Sequence, residues 1–124
     1  MKTLVFGASV KTDKYSNRVL RMLVSKNFDV VAFGLQQGVV TGVTIESSLK
    51  NYLNIHTVTL YLSSKNQKQY YEYILSLKPK RVLFNPGTDN TEFYKLLEAQ
   101  NIKVEIACTL VLLSTNQYET EKSE

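Results

Sequence analysis

The stretch Thr3-Leu4-Val5-Phe6-Gly7-Ala8-Ser9, followed by Tyr15-Ser16-Asn17-Arg18, decides how this chain folds. Strand-forming residues run into small ones, and a helix is expected to begin near Tyr15 to Arg18. A strand, a small-residue turn and a helix N-terminus gather backbone N–H groups at one point, which suits a phosphate. Lys11, Lys14 and Arg18 lie in or beside that turn, opposed only by Asp13. The pattern points to a site for a phosphorylated small molecule.

The same alternation continues outward from this turn. Val19, Leu20, Leu23 and Val24 make an apolar stripe at helical spacing over residues 18–26. Residues 28–33 are rich in valine and phenylalanine and read as a strand. Gln36-Gln37-Gly38 reads as a loop, residues 43–45 as a short strand and 47–52 as a brief helix. Further on, 56–62, 81–84 and 103–107 read as strands. Between them, Ser64 and Gln67 resemble a capping box for a helix over 67–77, with Tyr70, Tyr71, Ile74 and Leu75 on one side. Pro79 ends that helical region, and Asp89 with Glu92 is expected to cap a helix that turns Phe93, Leu96 and Leu97 inward. A short apolar helix over 109–113 closes the pattern. Short apolar strands alternating with helices imply a doubly wound α/β domain, with a mostly parallel sheet of about five strands and helices on both faces.

At 124 residues and 44% hydrophobic content, the chain suits one domain over 1–118, followed by a polar tail over 119–124 that is expected to fray. The formal charge of +4 is scattered, except near the first turn and at Lys78-Pro79-Lys80-Arg81, which reads as a solvated loop before a strand. A nucleic-acid surface needs a broad basic face interleaved with aromatics, and the tyrosines here fall mostly at core spacing. The single cysteine excludes an intramolecular disulfide, and no Cys/His grouping has metal-ligand spacing. Without a leader or a long apolar span, a cytoplasmic protein with no membrane partner is expected.

In doubly wound sheets, ligands bind outside the carboxyl ends of the strands. The loops to inspect therefore hold Gly7, Ala8, Ser9 and Lys11, then Gly34 to Gly38, then Tyr61, and then Asn85-Pro86-Gly87-Thr88. A dinucleotide fingerprint needs a second glycine where Ser9 stands, and an acid after the second strand. Past Phe33 the chain reads Gly34-Leu35-Gln36-Gln37, while Asp29 and Glu46 lie away from the required position. A standard NAD site is disfavoured. Cys108 reads as a structural thiol, and the only histidine, His56, as a surface or edge residue at the opposite end of its strand. No set of nucleophile, base and orienting group emerges.

Several segments also occur in order along almost the whole chain. They are the opening Leu4-Val5-Phe6-Gly7-Ala8-Ser9, Tyr15-Ser16-Asn17-Arg18, Thr57-Val58-Thr59-Leu60-Tyr61, Leu77-Lys78-Pro79-Lys80-Arg81, Asn85-Pro86-Gly87-Thr88 and Ala107-Cys108-Thr109-Leu110-Val111-Leu112-Leu113. Together they resemble the CoA-binding domain family. Its members are free-standing Rossmann-like proteins similar to the nucleotide-binding domain of the succinyl-CoA synthetase alpha subunit. The resemblance implies that the chain binds coenzyme A or an acyl-CoA, with the pyrophosphate against Gly7-Ala8-Ser9 and the helix start Ser16-Asn17-Arg18. It implies phosphate contacts from Lys11 and Arg18, an adenosine flanked by the Gly34 loop, and a far wall of Tyr61, Asn85, Pro86 and Gly87. Relatives often carry Asn-Pro and a basic residue where this chain has Gly34, Leu35 and Gln36. Free-standing members lack the synthetase's histidine-bearing partner domain, so no reaction carries over. The expected function is non-catalytic binding, as a sensor, carrier or regulatory module. An NAD(P)-binding enzyme or redox sensor is one alternative, and an interaction module with a decayed pocket is another. A homodimer or a protein partner stays open.

Overall fold

The computed structural model describes residues 1–119. Seven strands form one sheet in the order β3-β4-β2-β1-β5-β6-β7, where the expectation was about five. They are β1 (Lys2–Phe6), β2 (Asp29–Phe33), β3 (Gly38–Val40), β4 (Val43–Glu46), β5 (Ile55–Leu60), β6 (Arg81–Phe84) and β7 (Lys103–Ile106). All neighbours run parallel except β3, which pairs antiparallel with β4. The helices are α1 (Tyr15–Ser25), α2 (Ser64–Gln67), α3 (Tyr71–Leu77), α4 (Thr91–Ala99) and α5 (Thr109–Ser114), with a 3-10 turn at Lys68–Tyr70 between α2 and α3. This is a Rossmann-like α/β fold.

Alternation along β1 shows why both faces are covered. Leu4 and Phe6 enter a core with Tyr71, Ile74, Phe93 and Leu97 of α3 and α4, while Val5 enters another with Val19, Leu20 and Leu23 of α1 and Leu113 of α5. Successive side chains of a strand point to opposite faces, so an uninterrupted apolar strand requires helices on each. Phe6 stacks on Phe33 with ring centroids 4.7 Å apart, and Tyr71 stacks on Phe93 at 4.3 Å. The tyrosines of the 3-10 turn and α3 thus pack as their spacing suggests.

Four local readings need correction. Gly38 belongs to strand β3, and a Thr41-Gly42 turn with both φ angles positive joins it to β4. Two positive φ values suit a tight antiparallel hairpin, but Thr-Gly is a weaker written signal than Asn-Gly. Residues 47–52 form no helix; the chain crosses there without repeating structure. Ser63, not Ser64, precedes α2 and makes no side-chain cap, and Gln67 turns inward to donate to the carbonyls of Leu62 and Thr88, each at 2.8 Å. Asn90, not Asp89, caps α4, accepting from the Phe93 amide at 3.1 Å.

Two basic and polar residues are also more buried than their sequence context suggests. Arg81 is only 1% exposed, rather than part of a solvated loop. Its guanidinium donates to Thr57 Oγ1 at 2.8 Å and to the Tyr118 carbonyl at 2.6 Å, meets Glu105 at 3.3 Å and lies over the Tyr118 ring. These bonds tie the chain's closing segment to β5, β6 and β7, and the Tyr118 hydroxyl adds a bond to Thr3 on β1. His56 is buried at 9% exposure instead of lying at the surface, and its Nδ1 meets Thr57 Oγ1 at 2.8 Å. Of the expected tail over 119–124, all but Glu119 lies outside the described residues.

Candidate functional site

Strand order reverses between β1 and β5, so the loops after β1, β2, β5 and β6 converge at the carboxyl end of the sheet. Two neighbouring cavities open there. The first, about 340 Å³, is bounded by Gly7, Ser9, Lys11 and Lys14 after β1, by Gly34 after β2, and by Leu62 after β5. Ala8 and Gln36 also face it. The second, about 480 Å³, is bounded by Tyr15, Arg18, Tyr61, Pro86, Leu110 and Val111. A larger basin of about 650 Å³ lies at the opposite end of the strands, among Lys2, His56, Lys78 and Lys80. Strand polarity favours the carboxyl end over that basin, whatever their sizes.

The first loop is built by its own bonds. Gly7 has φ +105°, a conformation reserved in practice for glycine, and a Cβ there would lie 3.1 Å from Tyr61 Cβ. The amides of Gly7 and Ala8 both donate to the Phe33 carbonyl, at 2.9 and 2.8 Å. This corrects the sequence reading that these N–H groups await a pyrophosphate: they join the loop to the end of β2. Ser9 Oγ accepts from the Lys11 amide at 3.1 Å, and the Asn17 amide group donates to the Ser9 carbonyl at 2.9 Å. Arg21 then bonds Asn17 Oδ1 and the Thr12 carbonyl, bracing the loop from α1. Asn17 and Ser16 are buried and line neither cavity.

What remains for a ligand is narrower than the sequence suggests and well placed. Among the described residues, the amides of Ser9 and Val10 donate to no protein group. Helix α1 starts at Tyr15, one position before the expected polar caps. Its N-cap is Lys14, without a side-chain cap, and its first turn holds no acid. The amides of Tyr15 and Ser16 therefore have no acceptor among the described residues, while that of Asn17 donates to the Lys14 carbonyl, and the positive end of the helix dipole faces the loop. Lys11 and Lys14 add two cations on the same wall. Gly34 is needed for a close approach, since a Cβ there would fall 2.3 Å from the Ala8 carbonyl oxygen.

Other candidate residues separate. Arg18 lines the second cavity instead of joining Lys11, and its guanidinium lies 5.3 Å from the centre of the Tyr15 ring. Tyr61 reaches the same cavity, and burial pushes its phenol well above the usual tyrosine value. Asn85 is 2% exposed, and three of its amide's four positions are engaged: Nδ2 donates to Thr59 Oγ1 at 2.8 Å and to the Leu60 carbonyl at 2.9 Å, while Oδ1 accepts from the Thr109 amide at 2.8 Å. Pro86 and Gly87 make a turn in which the Thr88 amide donates to the Asn85 carbonyl and Gly87 has φ +89°. Pro followed by a positive-φ glycine is the type II turn signature. Gly87 itself lies outside both cavities.

The structure also places an acid that the sequence left distant. Register pairs Phe33 with Glu46, so Glu46 stands beside the end of β2. Its carboxylate nevertheless meets Lys50 at 3.9 Å and does not line the first cavity. Residues that sequence reasoning did not select include Tyr15, Leu110 and Val111. Their segments belong to the resemblance, but nothing in the sequence shows that they line one cavity, because they converge only through the packing of α1 against α5. Among the described residues, no group of three or more His, Cys, Asp or Glu side chains could hold a metal, and no helix is long and apolar enough to cross a membrane.

A family model described as a CoA binding domain matches residues 1–114. The chain belongs to the CoA-binding domain family. A solved structure of an uncharacterized protein is 42% identical and superposes with a TM-score of 0.91, over 94% of this chain and 96% of that one. A Thermus thermophilus protein at 20% identity has a TM-score of 0.82 over 94% of this chain and 89% of its own, which bears on the fold alone. A hypothetical protein from Pyrococcus horikoshii OT3 agrees in fold at 24% identity, with a TM-score of 0.80 over 94% of this chain and 83% of that one. No curated protein matches.

Proposed function

We propose that this domain binds coenzyme A or an acyl-CoA without carrying out a reaction on it, and serves as a sensor, carrier or regulatory module. The observation that carries the reading is the first cavity. It combines the uncommitted amides of Ser9 and Val10 with Lys11 and Lys14, the latter standing at the uncapped start of α1. Those groups suit a pyrophosphate through charge-assisted hydrogen bonds. Membership of the CoA-binding domain family supports the same ligand. The absence of catalysis is argued from separation: Cys108 lines the second cavity, whereas His56 borders the basin at the other end of the sheet. The NAD(P) alternative is weaker, because the end of β2 presents Gln36 to the cavity where a ribose diol would need an acid.

Titration calorimetry with CoA, acetyl-CoA, NAD and NADP tests the reading. CoA species should bind in preference to both nicotinamide dinucleotides, and replacing Lys11 and Lys14 together by alanine should weaken CoA by about tenfold or more. Preference for NAD or NADP would overturn the assignment. No heat with any of the four would favour an interaction module.

A further inference from the structure

The second cavity differs in kind from the first. Its wall is made by the Tyr15 and Tyr61 rings, Pro86, Leu110 and Val111, with Arg18, Asn85 and Cys108 also lining it. Of its polar side chains, Asn85 is largely occupied. Three of the four hydrogen-bonding positions of the Asn85 amide are engaged, and Arg18 lies over the Tyr15 ring. Away from Arg18, a polar arm entering such a space would forfeit most of its hydrogen bonds to water, whereas hydrocarbon would not. Tyr15 and Val111 are also 61% and 54% exposed, so apolar surface stands uncovered at the mouth.

The two cavities share a partition. Lys14 and Leu62 face the first, and their chain neighbours Tyr15 and Tyr61 face the second. A cationic pocket next to a hydrocarbon-lined one suits a ligand with an anionic head and an apolar tail. We infer that the second cavity takes the acyl chain of an apolar acyl-CoA, so that the domain recognises a fatty acyl thioester over free CoA, with Leu110 and Val111 setting that preference. This inference rests on the CoA reading of the first cavity.

Calorimetry on the full chain with CoA, octanoyl-CoA and succinyl-CoA tests it. Burying two methylenes is enough for about a tenfold gain, so octanoyl-CoA should bind at least about tenfold tighter than CoA. In Val111→Asp, and separately in Leu110→Ser, the ratio of the two affinities should fall towards one. Each variant is first checked for a wild-type unfolding temperature, and either one suffices if the other fails to fold. Equal affinities for CoA and octanoyl-CoA would remove this inference alone. Tighter binding of succinyl-CoA than octanoyl-CoA would also overturn it, assigning Arg18 to a terminal carboxylate. A full octanoyl preference in the folded variants would sink the role of α5. Failure of all three thioester and thiol ligands to bind would instead remove the CoA reading and this inference with it.

Discussion

Replacing Asn85 by alanine asks whether this loop residue recognises a ligand or holds the sheet together. In the structure one buried amide joins three elements: it donates to Thr59 Oγ1 and the Leu60 carbonyl near the end of β5, and accepts from the Thr109 amide at the start of α5. Thr59 Oγ1 retains Thr109 Oγ1 as a partner at 2.9 Å, but the Thr109 amide has no substitute acceptor among the described residues. Three lost bonds at about 1 kcal/mol each, with a further penalty of about 1–3 kcal/mol for a buried N–H left unpaired, give a loss of about 4–6 kcal/mol. For a domain of this size that corresponds to a fall in Tm of about 10 °C or more. Asn85→Asp refines the test. It keeps an acceptor for Thr109 but turns a second oxygen against the Leu60 carbonyl, so its buried carboxyl should titrate above the ordinary value. A raised folded-state pKa means that its stability is greatest at acid pH and falls as pH rises through that pKa. Thermal unfolding followed by circular dichroism, with both variants and at acid and neutral pH, supplies the measurement. Unfolding of Asn85→Ala within about 2 °C of the parent would refute the reasoning and return Asn85 to the ligand.

Two further outcomes follow from the same geometry. Gly34→Ala should push the Ala8 carbonyl away, since the new Cβ would otherwise lie 2.3 Å from its oxygen. It should cost about 1–3 kcal/mol of stability and weaken CoA binding by about tenfold or more, with unchanged calorimetry arguing against the loop as the phosphate wall. Burial raises the Tyr73 phenol to about 12 and moves Tyr61 and Tyr118 upward as well. The unfolded chain releases those protons near pH 10, so their contribution is intact below about pH 10 and declines as pH climbs towards about 12. Denaturant midpoints should therefore be lower at about pH 11 than at about pH 9, and tyrosinate absorbance should rise further on unfolding at the higher pH. Equal midpoints with equal absorbance would contradict the burial argument.

The order of legibility along this chain follows the range of the forces involved. Strand β1 could be read because both its faces are buried, so Leu4, Val5 and Phe6 have to be apolar in succession. Helix α1 could be read because Val19, Leu20 and Leu23 repeat at a helical period. Strand β4 was read at 43–45, but β3 and the hairpin that joins them were missed because the exposed edge asks little of its residues: Val39 is 66% exposed, and Thr41-Gly42 is an inconspicuous turn. At the site, sequence located the first loop but misassigned its hydrogen bonds. Nothing local to Gly7 and Ala8 announces that Phe33 will accept both amides, because that pairing exists only once β2 lies beside β1. The same holds for Asn85, whose partners lie on β5 and α5, and for Arg81, whose partners include Thr57, Glu105 and Tyr118. In each case the sequence shows hydrogen-bonding groups but not the distant partners that engage them. A loop can be placed from its own sequence, but its vacant donors are found only by subtracting the bonds that distant strands impose. That subtraction removes Gly7 and Ala8 from the expected anion donors, keeps Ser9 and the start of α1, and adds Val10 on the same wall.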